Sequence, residues 1–540
     1  MQSPQKSFWQ DPLFWPSLLI GGFFLSLTLW FNLGMDQSIF AYTAWVWKQY
    51  HLAPYIGVWN QTFPGIFVIH RLALEFFGDT VFAFRLLDFL VQLSSLFLIF
   101  YLARKLSGFS ISGFLASIFY GIYYYGLGIS GAGQRECFVF WILLVCLAMA
   151  VAVEKRILLR ALLSGILLGF AFLLKPTFAL AWLVFGAWYF AQSRSRKTGA
   201  ATIELVIFFA ACLLPILITI ACYWRLDALA TLYQSTIWFN SAIYDRMSEW
   251  PAELRFFLTS ALSITILENY PLLFLGTVLA LALHFKKLSP ARDLQLLQGM
   301  ISLMGMGILS YAVQGKYFPY HLVPFAGLMT IMAGWAFGQL IFLARDLTKS
   351  AFGRFGITAL GLFPIIFMLA SLDPWGKEFA VRFALRDFDR AYAAGFATPQ
   401  DRQMSANYYL AAKYLKPMLR PQDNIACFGP DPLIPFLLQK KLPTWFPCVQ
   451  HLLFLRHDGK IEPLQQEWIT EFQDQIIKAR PRFILVSNNF PGQYDKLFNF
   501  MNRDLGKALD QQFPQLKIFI RQNYRLRQNI GYVQIYEILF

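Results

Sequence analysis

Apolar stretches of about 20 residues, the length that crosses a hydrocarbon core, recur along the first two thirds of the chain. They predict helices near 13–33, 81–103, 109–128, 137–153, 158–174, 177–192, 201–223, 268–285, 294–313, 322–343 and 355–372. Basic residues gather in every second gap: Arg104/Lys105, Lys155/Arg156/Arg160, Arg194/Arg196/Lys197, Lys286/Lys287/Arg292 and Arg345/Lys349/Arg354. Lys and Arg are enriched in cytoplasmic loops. The shared register therefore predicts a cytoplasmic N-terminus and puts the chain from Asp373 onward outside. Two outer gaps are long, 34–80 and about 224–267. Within the second, Phe256–Leu267 is too short to span and is expected along the interface, so the count is eleven to thirteen.

Beyond residue 373 the pattern changes. Apolar runs shrink to strand length at Asn424–Phe428, Arg482–Val486, Leu516–Ile520 and Tyr532–Ile538, with a helical pattern at Glu467–Lys478 between them. Such alternation predicts a small α/β domain. The expected architecture is an α-helical polytopic membrane domain, 1–372, with about 11 transmembrane helices, followed by an extracytoplasmic α/β domain, 373–540. The first apolar run follows Lys6 without a small-residue cleavage site and reads as a retained helix.

Composition agrees with a lipid solvent. Of the 540 residues 57% are hydrophobic and 14% charged, against about 25% charged in soluble domains. The net charge of +15 does not point to nucleic acid, because the cations punctuate the gaps and form no single face or tail. The six cysteines have no metal-ligand spacing; Cys137, Cys146, Cys212 and Cys222 lie in apolar runs. Cys427 and Cys448, in the outer tail, can form a disulfide there. The tail has no glycine-rich phosphate loop or triad, and no internal repeat marks a transporter.

Candidate chemistry lies in the outer gaps. Asp36, just past the first helix, can act as general base toward an acceptor hydroxyl or amine, or it can cap the segment Ser38–Trp47. In Gly131-Ala132-Gly133-Gln134-Arg135-Glu136, Arg135 can hold a phosphate through two parallel hydrogen bonds. Glu136 can orient that cation, bind a divalent metal or neutralise its neighbour. Lys175, at the end of the fifth helix, can snorkel to headgroups or neutralise a lipid phosphate. The string Gln314-Gly315-Lys316-Tyr317-Phe318-Pro319-Tyr320-His321 sets a cation, two phenols and an imidazole at one helix mouth. Arg71, Arg85 and Asp88 complete the set, with Arg85 and Asp88 one turn apart. Asp36, Arg85, Arg135, Glu136, Lys175, Lys316 and His321 all map to the outer side, where bundled helices can bring them to a cavity suited to a phosphorylated lipid headgroup and a nucleophile.

These residues resemble a family. Asp36, Phe40-Ala41-Tyr42, Ala53-Pro54-Tyr55, Val58-Trp59-Asn60, Pro64-Gly65, Phe77-Gly78-Asp79 and Arg85-Leu86-Leu87 are similar to the first outer loop of polytopic GT-C glycosyltransferases. The closest types are protein O-mannosyltransferase-like enzymes and the lipid A aminoarabinose transferase. Gly133-Gln134-Arg135-Glu136 and Lys316 to His321 look like motifs of bacterial members, and the resemblance runs over roughly the first 375 residues. It implies an enzyme of the inner (plasma) membrane. Such an enzyme moves a sugar from a polyprenyl-phosphate carrier to a glycolipid, polysaccharide or protein acceptor at the outer face, usually with inversion. It implies Asp36 as base or acceptor-positioning group and Glu136 as the second acid. Arg135, Lys175 and Lys316 would stabilise the leaving phosphate, while from the residues themselves Arg85 and His321 join that set as candidate phosphate contacts. No cofactor is implied with certainty, and a divalent metal is compatible. Two departures stand out: Gln37 where many relatives are acidic, and Thr62-Phe63-Pro64 where many carry Lys-Pro-Pro. Lys316 or Arg71 can stand in for that lysine. Two other readings remain: a flippase for a polyprenyl-linked glycan, which needs polar residues at mid-membrane depth such as Asp88, and an inactive relative that binds a lipid carrier.

Overall fold

The computed structural model describes residues 8–153, 156–193, 198–245, 270–288, 290–316, 318–347, 350–372, 399–455, 460–487 and 505–539. The interfacial run expected at 256–267, Tyr317 and the cations Lys155, Arg194, Arg196, Lys197 and Lys349 lie outside them. The chain divides into two compact units. The first comprises Met1–Leu29, Leu87–Ala221 and Pro251–Pro374, the second Trp30–Leu86, Cys222–Trp250 and Trp375–Phe540. Residues 34–80 and 224–245, from the two long outer gaps, thus cluster with the tail.

Each of the eleven predicted ranges holds a helix. Among the described residues six are long and apolar enough to cross a membrane, or up to seven if a bent pair counts as one span. Shorter helices such as Pro271–Phe285 fall below the length required. Local chemistry sets the ends. Asp293 caps Leu294–Gln314 by accepting from Leu296 N at 2.9 Å. That helix stops at Gly315, whose φ of 59° is left-handed.

In the first unit the helix Val323–Leu347 is central. It packs against Ser110–Gly126, Arg135–Ala152, Pro271–Phe285, Leu294–Gln314 and Ala351–Ala370. In the apolar window of Pro319–Ala344, 72% of residues are buried, against 17% for Thr202–Arg225. The latter exposes Leu213, Leu214, Leu217 and Ile218, a surface stable only against lipid. Close helix contact rests on small residues, because lipid chains give apolar side chains little reason to leave them. A Cβ at Gly165 would lie 2.5 Å from Phe208 O, so the helix Ile157–Leu174 meets Thr198–Arg225 backbone to backbone.

The second unit carries a four-stranded sheet: β1 (Ile425–Phe428), β2 (Phe483–Ser487), β3 (Tyr524–Ile530) and β4 (Val533–Ile538). The order is β1-β2-β4-β3, with β1 parallel to β2 and the other pairs antiparallel. Three strands fall where expected, at 424–428, 482–486 and 532–538. The fourth does not: Leu516–Ile520 lies in a helix, Pro514–Asn523, which opens on proline and buries Leu516, Phe519 and Ile520 at helical spacing. The strand Tyr524–Ile530 takes its place at the sheet edge. The core of this unit includes Trp59, Phe239 and Ile243 from the two outer gaps, packed with Phe428, Phe446, Trp468 and Phe472 of the tail. Trp59 N donates to Trp445 O at 2.9 Å, and Tyr42 Oη accepts from Leu442 N at 2.7 Å.

Candidate functional site

The first unit gathers Arg135, Glu136, Lys175, Lys316 and His321. Three features of the sequence put them there. Gln134, with extended backbone, opens the helix Arg135–Ala152 and sets Arg135 and Glu136 in its first turn. Pro176 ends the helix Ile157–Leu174 at Lys175. The left-handed turn at Gly315 and the 3-10 turn Pro319–Leu322 hold Lys316 and His321. Glu136 is fully buried and one of its oxygens, Oε1, accepts from Lys175 Nζ; His321 Nε2 lies 3.7 Å from the same oxygen. The charges of Lys175, Arg135 and Lys316 all bear on the His321 ring. Lys175, Lys316 and His321 are 7%, 3% and 4% exposed. Among the five side chains three are cations and one is a carboxylate, and it is Lys175 that pairs with the carboxylate. Glu136 Oε2 and His321 Nδ1 are buried without a hydrogen-bond partner among the described residues. Cations gathered at a helix N-terminus favour a bound anion.

Asp88 behaves differently. It is fully buried, and Tyr124 donates to its Oδ1 at 2.6 Å and Gln92 at 3.2 Å. Tyr120 donates to Gln92 at 2.6 Å, and Gly133 N to Tyr124 Oη at 2.9 Å. This is a mutually bonded network between two helices that anchors the turn before Arg135. It supplies a structural role for the one acid expected at membrane depth.

The second unit holds Asp36, Gln37 and Arg85. The helix Met35–Tyr50 is capped at Gly34, so Asp36 stands in its first turn and is not the cap. There it benefits from the helix dipole and is half-buried. Arg85 is fully buried and donates to Asn32 O at 2.6 Å and Gln37 Oε1 at 2.7 Å. Gln37 Oε1 also accepts from Gly34 N at 3.0 Å. The departure at position 37 therefore has a function: a neutral amide both closes the helix start and holds the guanidinium. His70, also fully buried, stacks on Phe84 at 3.8 Å, with neither ring nitrogen hydrogen-bonded among the described residues. The sequence marks Gln37 only as a departure, without its partner Arg85, and gives no signal for His70.

Other predicted residues sit elsewhere. Arg71 lies over Trp47 at 4.3 Å and pairs with Glu75 at 3.4 Å, a surface arrangement. In Asn60-Gln61-Thr62, a glycosylation sequon by sequence, Asn60 and Thr62 are buried and bonded to each other, Thr62 N donating to Asn60 Oδ1 at 2.8 Å. The expected Cys427–Cys448 bond is not formed. Both are free, buried thiols, one in the centre of β1 and the other with Sγ 3.5 Å from His451 Nδ1. Burial pushes both thiols well above their usual pKa. Among the described residues no three His, Cys, Asp or Glu side chains form a metal-binding group.

Residues 61–224 match the dolichyl-phosphate-mannose-protein mannosyltransferase family. ArnT from Cupriavidus metallidurans bound to undecaprenyl phosphate is similar in structure at 14% identity, with a TM-score of 0.52 and 98% of each chain covered. The chain has the GT-C fold. The apo form of the same ArnT superposes on this GT-C chain with a TM-score of 0.54, at 14% identity over 98% of this chain and 97% of that one. AglB from Archaeoglobus fulgidus, an archaeal oligosaccharyltransferase in complex with an inhibitory peptide and a dolichol-phosphate, matches at 11% identity and a TM-score of 0.47, over 99% of this chain and 75% of its own. No curated protein matches the chain in sequence. The matching family and these GT-C neighbours are glycosyltransferases, and the chain is an integral membrane protein with several apolar helices.

Proposed function

We propose that this GT-C protein transfers a sugar from a polyprenyl-phosphate carrier to an acceptor at the outer face of the membrane. The observation that carries the reading is the gathering of a partly buried Arg135 with the buried Glu136, Lys175, Lys316 and His321, three cations and an imidazole around one carboxylate-bearing helix start. A polyprenyl-phosphate sugar is a phosphodiester with one negative charge. As the bond between the anomeric carbon and the phosphate oxygen breaks, the leaving polyprenyl phosphate gains a second. Cations fixed around it are stronger partners for the transition state than for the bound donor, which is what lowers a barrier.

In this mechanism an acceptor hydroxyl or amine attacks the anomeric carbon from the opposite face, a new glycosidic bond forms with inversion, and the acceptor proton passes to Asp36. Asp36, half-buried in the first turn of its helix, is the carboxylate suited to this step. Glu136 already accepts from Lys175, so it serves as the group that positions the phosphate-binding lysine. Arg85 and Gln37 hold the backbone at Asn32 and Gly34, directly before Asp36. The undecaprenyl phosphate bound by ArnT supports the donor class. The basic gaps support a cytoplasmic N-terminus, with the sheet domain outside. The test is donor kinetics. Arg135→Ala should raise KM for a polyprenyl-phosphate sugar more than Asp36→Asn does; unchanged donor dependence in Arg135→Ala would remove the phosphate role.

A further inference from the structure

The second unit has a groove of about 790 Å³ to which the mechanism assigns nothing. Its walls come from the first outer gap, the segment after Arg225 and the tail, and they include Tyr50, Asp227, Lys441, Trp445, Glu471 and Gln475. The size lies in the range of ligand sites. Its surfaces are held in place. Trp445 Nε1 donates to Tyr55 O at 2.9 Å and Trp445 N to Gln475 Oε1 at 3.0 Å, while Gln475 Nε2 donates to Glu471 Oε1 at 2.8 Å. An indole, an amide and a carboxylate are thus locked in one row. Lys441 lies over the Tyr50 ring at 5.1 Å. The lining also includes Asp227, with φ of 51° just past the end of a helix. Glycine is the usual residue there; the aspartate keeps a carboxylate at the groove.

We propose that this groove binds a saccharide, the carbohydrate part of the acceptor. The role as acceptor rests on the glycosyltransferase reading, whereas the binding does not. Two carboxylates against one lysine disfavour a phosphate or nucleotide. Leu52, Ile56, Leu226 and Pro443 share the walls with charged and amide groups, a mixed lining that suits an acyl chain less well than an amphipathic ligand. Carboxylates and an amide that accept and donate side by side suit adjacent sugar hydroxyls, and the half-buried Trp445 indole and the exposed Tyr50 phenol give faces for the C–H side of a pyranose. The occupant is then a neutral or amino-sugar oligosaccharide, and the acceptor a glycan or glycolipid.

The experiment is equilibrium dialysis of tritiated maltotriose and chitotriose against the full-length protein in detergent, without donor. At least one trisaccharide should bind, and Asp227→Asn/Glu471→Gln should weaken it about tenfold or more, since two hydrogen bonds to charged groups are lost. Both residues are exposed, so the double variant should keep its thermal unfolding midpoint; Trp445→Ala is the second variant, with the same expectation for binding. Failure of both sugars to bind, or equal binding by the double variant, overturns the proposal. So does binding of a Ser/Thr-rich peptide that the same variants abolish, which would mark a protein acceptor. Lys175→Met should leave trisaccharide binding intact while lowering transfer, so loss of one reading is separable from loss of the other.

Discussion

Lys175 and Glu136 are buried together, and breaking such a pair has two separable consequences. In Lys175→Met the Glu136 carboxylate, fully buried, loses its nearest cation and keeps His321 at 3.7 Å. Leaving one partner of a buried pair charged costs about 3–5 kcal/mol of stability. Transfer should fall by about 10²–10³-fold, the loss that follows removal of one donor to a developing oxyanion. The double variant Lys175→Met/Glu136→Gln separates the two effects. It removes both charges, so stability should return to within about 1–2 kcal/mol of wild type, while transfer stays low because the phosphate has still lost its cation. The assays are unfolding in detergent and single-turnover transfer from a polyprenyl-phosphate sugar with donor in excess. Recovery of transfer along with stability in the double variant would refute the reasoning and reduce the pair to a structural bond.

Two further perturbations probe the second unit. His451 is enclosed by Trp59, Phe239 and Phe454 with Cys448 as its polar neighbour, and burial lowers its pKa to about 3. The unfolded chain takes up a proton near pH 6.5 and the folded chain does not, so stability is full above about 6.5 and falls as pH drops toward 3. The loss is about 2 kcal/mol between pH 6.5 and 5; unfolding of wild type and His451→Gln at both pH values checks it, and the variant should lose the dependence. Trp59→Ala empties a fully buried indole site and should cost about 3–5 kcal/mol, seen as protease sensitivity of the tail although the mutation lies in the first outer gap.

Periodicity carried the helices because a 20-residue apolar run has few other readings. It failed at Leu516–Ile520, where five residues suit a strand or a buried helix turn equally and Pro514 decided the matter. It missed Tyr524–Ile530, whose Arg525 and Arg527 face solvent at a sheet edge and leave no apolar alternation to read. The charged residues of the first unit were legible one by one, as ionisable groups at helix mouths. That Glu136 would share an oxygen between Lys175 and His321 was not legible, since the three come from helix ends 39 or more residues apart. Nor was the place of Trp59 in the tail's core, because its partners Phe446 and Trp468 lie about 400 residues away and local pattern carries no long-range pairing.

The central claim is sugar transfer from a polyprenyl-phosphate donor with Asp36 as its base. The direct measurement is transfer by purified protein from a panel of radiolabelled polyprenyl-phosphate sugars to membrane-extract acceptors, wild type beside Asp36→Asn, with unfolding midpoints compared. Labelled product from wild type and none from a folded Asp36→Asn is the predicted result. Equal transfer by both would move the base elsewhere, and no transfer from any donor would contradict the enzyme reading itself.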